Sequence, residues 1–84
     1  MTAEEIAQKC MDARGYVVIS TNLPLAVGER CCLQTQQAGD TAPSLDKFAV
    51  VIAETTQSDW DDQVKLMGFL GKTRFWRFYR MVAE

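Results

Sequence analysis

Two short runs of this chain, Tyr16-Val17-Val18-Ile19 and Phe48-Ala49-Val50-Val51-Ile52-Ala53, are apolar at every position. Successive side chains of a strand point to opposite faces, so a strand with one wet face alternates and a strand without alternation is covered on both. β-Branched and aromatic residues dominate both runs, which reads as strand and not helix. Any fold for this sequence must therefore cover two faces of a sheet. The expected sources of the second cover are a sheet curled on itself, a second subunit or a ligand. With 84 residues, the chain is read as one domain, 1–84, with room for a single core and little for a deep site.

The surrounding segments read as follows. Residues 2–14 predict a helix: Thr2 and Glu5 form a capping box, Gly15 stands where a helix end takes left-handed geometry, and Ile6, Cys10 and Ala13, with Met11, make an apolar stripe. Tyr16 to Thr21 is the first strand, stopped by Asn22 and Pro24. A second strand is expected from Arg30 to Gln36, after a bulge or bend at Gly28. A loop over 37–46 precedes the strongest strand, Lys47 to Glu54. Thr56 or Ser58 caps a second helix reaching Gly68, with Asp59, Asp61 and Asp62 near its positive end and Trp60, Val64 and Met67 as its buried stripe. Phe69-Leu70-Gly71 links this helix to a last strand, Thr73 to Ala83. The order α-β-β-β-α-β predicts an α+β domain: a small, curved, mainly antiparallel four-stranded sheet with two helices.

Several chemistries lack their residues. The chain has no histidine, which removes Ser-His-Asp and Cys-His catalysis and histidine-bearing zinc sites. Cys10, Cys31 and Cys32 are an odd set without disulfide or zinc spacing, and are read as reduced thiols of a cytoplasmic protein. The acidic run Met1-Thr2-Ala3-Glu4-Glu5 has no apolar secretion core, and no apolar run approaches the ~20 residues that span a bilayer, so no membrane partner is expected. Asp59, Asp61 and Asp62 converge only partly for a hard cation, and a helix start accounts for them without one. Gly68-Phe69-Leu70-Gly71 lacks the Lys-Ser/Thr pair of a phosphate loop. Glu54, at a strand end, is the one candidate acid or base. The expectation is therefore no enzyme, no catalytic residue, no cofactor and no metal.

The candidate functional segment is the C-terminal one. Between Lys72 and Arg80 lie four of the nine cations and four of the eight aromatics. In an extended strand, Phe75, Arg77, Tyr79 and Met81 share one face, and Trp76, Phe78, Arg80 and Val82 the other. Rings mixed with arginines are the composition of protein interfaces and of single-strand nucleic-acid surfaces. They also suit an internal strand whose arginines answer the acidic helix start. The net charge of −2 argues against a general polyanion binder. The leading expectation is a non-catalytic protein-interaction module or small oligomeric subunit, forming a homodimer or docking on a larger protein. Its surface would comprise Arg74, Trp76, Arg77, Tyr79, Arg80 and Tyr16. The alternatives are a nucleic-acid-binding module using the same strand, and a small-ligand protein with a pocket beside loop 37–46.

Overall fold

The computed structural model describes residues 3–32, 48–67 and 75–84. Helix α1 spans Ala3–Arg14 and stops at Gly15, whose φ of 79° is a geometry that a Cβ disfavours. The Gly15 N–H still reaches the Met11 carbonyl at 2.9 Å. Among the described side chains of α1, Ile6, Ala7 and Cys10 are buried. Ala13, expected in this stripe, is exposed. Positions 7, 10 and 14 lie at i, i+3 and i+7 on one helix face, so the same rotation that buries Ala7 turns Arg14 inward and Ala13 outward.

The strands are β1 (Val17–Thr21), β2 (Arg30–Cys32), β3 (Phe48–Thr55) and β4 (Arg77–Ala83), with α2 (Gln57–Met67) between the last two. All pairings are antiparallel. Three strands, in the order β1-β4-β3, make the centre, and the three residues of β2 pair along the outer side of β3. Of the expected second strand, Arg30–Cys32 is seen; Leu33 to Gln36 lie outside the described residues. So do the 37–46 loop and the Phe69-Leu70-Gly71 linker. The C-terminal strand is thus an interior strand, hydrogen-bonded on both sides.

The sheet has a register irregularity in β3. Gly28 was expected to bulge or bend; with φ of 89° it forms a turn that leads into β2, and its N–H donates to the Val51 carbonyl at 2.7 Å. The bulge is in β3, where Val51 pairs with Met81 but Ala53, not Ile52, pairs with Arg80. The extra residue bends the strand and increases its twist. It also reverses the alternation that follows: Thr55 now stands across from Phe78, on the opposite face from Val51.

Register sorts the sheet into two faces. Val17, Ile19, Val51, Tyr79 and Met81 share one, and all five are buried. Val18, Phe78, Arg80 and Thr55 share the other, where Phe78 meets Trp60 of α2 at a ring-centroid distance of 6.3 Å. Helices α1 and α2 pack on each other and on β1, and α2 also reaches β4. The Tyr79 hydroxyl accepts from the Leu25 N–H at 3.0 Å and donates to the Leu23 carbonyl at 3.2 Å, which fixes the β1–β2 connection against the first face. Both faces of β1 are therefore covered within one chain, whereas in the apolar run of β3 Ala49 and Val51 are buried but Phe48 and Ile52 stay 48% and 42% exposed.

Candidate functional site

Helix α2 begins where β3 ends. Thr56 is its N-cap: its side-chain oxygen accepts from the Asp59 N–H at 3.4 Å, and its carbonyl accepts from Asp59 and Trp60. Asp59 thus sits three residues into the helix, near its positive end, and is 8% exposed. Its carboxylate gathers four side chains. Arg14 donates to Oδ1, and Arg80 Nε donates to Oδ2 at 2.8 Å. Thr55 Oγ1 donates to Oδ2 at 2.8 Å, and the Tyr16 hydroxyl to Oδ1 at 3.2 Å. The guanidiniums of Arg14 and Arg80 both stack on the Tyr16 ring, at 4.6 and 4.4 Å from its centroid. One carboxylate therefore ties together α1, the Tyr16 that leads into β1, β3, α2 and β4.

Burial pushes the Asp59 carboxyl up, but the hydrogen bonds from Thr55, Arg80 and Arg14, together with the Arg14 charge, outweigh it and hold the group below its ordinary value. Arg14 shows the matching effect: burial disfavours its charge, while Asp59 and Tyr16 more than restore it. The Cys10 thiol is pushed up by burial, against the opposing pull of Arg14. Asp61 and Asp62 are exposed, and Asp61 accepts from Gln57 at 3.0 Å. Among the described residues no group of three potential metal ligands converges. Glu54 is exposed.

The six residues expected to form one interaction surface are dispersed. Tyr79 is 2% exposed, which corrects its assignment: register puts its ring on the buried face, and its hydroxyl is consumed by the β1–β2 connection. Arg80 and Tyr16 belong to the Asp59 cluster. Arg74 lies outside the described residues. Trp76 is 70% exposed and Arg77, beside it, is half-buried. Trp76 precedes the first residue of β4, and its N–H donates to the Asn22 side chain at 3.3 Å; Leu23, which follows Asn22 in sequence, is also exposed. Of the apolar residues on the face expected to carry Trp76, Phe78 and Val82, only Phe78 is fully buried.

Sequence reasoning missed Arg14 and Gln63. Arg14 at the end of α1 reads as a dipole partner, and nothing local says that a carboxylate 45 residues away will claim it. Gln63 interrupts the apolar stripe of α2 and would be assigned to solvent, yet it is wholly buried. Trp60 is buried and Val64 half-buried as the stripe requires; the Met67 side chain lies outside the described ones. Among the described residues no helix is long and apolar enough to cross a membrane. No protein-family model, curated protein or solved structure matches this chain.

Proposed function

We propose that this protein is a non-catalytic interaction module of the cytoplasm, docking on a protein partner through Trp76 and the neighbouring Leu23 and Arg77. The observation that carries this reading is the 70% exposure of Trp76 at the entry to an interior strand. Tryptophan is the residue type most often found as an interface anchor. Its backbone is tethered to Asn22, so the ring is presented from a fixed base, which lowers the ordering cost of binding. The reading treats β2 as the fourth strand of the platform on which this end of β4 is mounted.

The nucleic-acid alternative is weakened by the same geometry. Stacking platforms need exposed rings beside cations free to meet phosphate. Tyr79 is in the core, and Arg80 is engaged by Asp59. The pocket alternative falls beside 37–46, outside the described residues. A photo-crosslinking residue in place of Trp76, activated in the source cells, distinguishes the outcomes. One discrete protein adduct, either a larger partner or a dimer of this chain, supports the proposal. An adduct that nuclease removes would replace it with the nucleic-acid reading. No adduct above that of a control crosslinker at exposed Asp62 would end it.

A further inference from the structure

The described arginines are answered by carboxylates with one exception. Arg14 and Arg80 share Asp59, and Arg30 pairs with Glu84. Arg77 has no ion pair or side-chain hydrogen bond among the described residues, although it is half-buried. Burial takes water from a guanidinium, a cost that an acceptor ordinarily offsets. Register shows where the free charge stands. Arg77 pairs with Thr21, and two residues before Tyr79 it lies on the same face of β4. The Tyr79 hydroxyl donates to the Leu23 carbonyl there, so the backbone of Leu23, itself 64% exposed, crosses the face that carries Arg77. Trp76, with its exposed ring, is bonded through its N–H to Asn22. This end of the sheet therefore presents an uncompensated charge together with two exposed apolar side chains.

We propose that the partner segment docking here carries an acidic side chain beside an apolar one, and that its carboxylate pairs with Arg77. The proposal rests on the docking reading above and adds the chemistry of the occupant. A guanidinium offers a carboxylate a planar fork of N–H donors, and such charge-assisted bonds gain strength where apolar neighbours exclude water. Trp76 and Leu23 supply that exclusion. A polynucleotide is the less favoured occupant, because a strand of phosphates needs a row of free cations. The net charge of −2 and the exposed Glu54, Asp61 and Asp62 also repel a polyanion far more than a single carboxylate.

Selection of displayed random peptides on the whole protein tests this. The expected result is enrichment of an Asp or Glu next to an apolar residue, lost with Trp76→Ser. Replacing that acid by its amide in the best peptide, or Arg77→Gln in the protein, should each weaken binding about tenfold or more. On an Arg77→Glu protein the preference should turn to Lys or Arg, a reversal that a merely structural arginine would not produce. Peptides that need Trp76 but show no acidic position leave the docking surface standing and overturn the carboxylate. An acidic preference that Arg77→Gln leaves unchanged overturns it as well, and so does a failure to enrich any sequence. Tighter binding of oligo(dT) than of the best peptide, weakened by Arg77→Gln, would give the guanidinium to phosphate and overturn the proposal. If the Arg77 variants do not fold, the unaltered protein decides: the acidic peptide should lose affinity with rising salt, and its amide counterpart should not. Equal salt dependence of the two refutes the proposal.

Discussion

Asp59→Ala should remove much of the stability of this protein, and the size of the loss follows from how exposed each arm of the cluster is. Asp59 is 8% and Arg14 17% exposed, so their arm is a buried pair. Removing one partner from such a pair costs about 3–5 kcal/mol, because the other charge stays behind uncompensated. Arg14 keeps the Tyr16 hydroxyl as a contact, which places this arm at the lower end. Arg80 is 39% exposed; water replaces its lost partner, and that arm adds about 0–1 kcal/mol. The stranded Thr55 hydroxyl adds roughly 1 kcal/mol. The total is near 4 kcal/mol, against about 4–13 kcal/mol for a whole domain of this length. Asp59→Asn, which keeps the outline and one acceptor, should lose about 2–3 kcal/mol. Urea unfolding at pH 7, followed by far-ultraviolet circular dichroism, should show a lower midpoint at unchanged slope.

The pH dependence has a definite sign. Asp59 is held below its ordinary value in the fold, so its contribution is fully present above about pH 4, the ordinary carboxylate value, and is lost as pH falls through the folded value. The gap between the parent and Asp59→Asn should therefore be widest near neutrality and close in acid. Within the cluster, Arg14→Met should cost more than Arg80→Met, since only the former leaves Asp59 without its buried partner. An Asp59→Ala protein within about 1 kcal/mol of the parent at pH 7 would refute this reasoning. A gap that persists unchanged to about pH 2 would do the same.

Three further outcomes are expected. Tyr79→Phe should cost about 1 kcal/mol in urea unfolding, because the Leu25 N–H and Leu23 carbonyl lose their common partner while the ring keeps its packing; a neutral result would mean that water substitutes fully. Trp76→Ser should leave stability within about 0.5 kcal/mol, since the ring adds little to the core, and a larger loss would show that it packs. Cys10, buried and with its thiol value raised, should react with a thiol reagent only as fast as the protein opens. Stability should decline above the ordinary thiol value near pH 8.5, as the unfolded state ionises first, and Cys10→Ala should remove that component.

The secondary structure was largely legible because its signals are local. Gly15 closes α1, Thr56 caps α2, and β-branched runs mark β1 and β3, each within a few residues of the feature it sets. The candidate surface was less so. The alternation of β4 correctly divides Tyr79 from Phe78, but alternation does not say that both faces are covered. An interior strand needs rings on both sides, and its neighbours β1 and β3 are distant in sequence. Trp76 escapes burial because it precedes the strand, a difference of one position that composition does not reveal.

The sequence by itself determined which segments are helix or strand and that histidine chemistry is absent; its expectation of cover on both faces holds for β1 but not for Phe48 and Ile52 of β3, which are exposed. Only the tertiary structure decided which charges meet. The bulge at Ile52 turns Thr55 to the face of Phe78 and Arg80, and the rotation of α1 turns Arg14 inward, so that both converge on Asp59. The same packing lays Gln63 along the β1 edge. Caps and periodicities act over one or two turns of chain and can be read in order. A buried carboxylate or carboxamide instead takes its partners from whatever strands and helices the fold brings alongside, and those are set by packing the whole core at once.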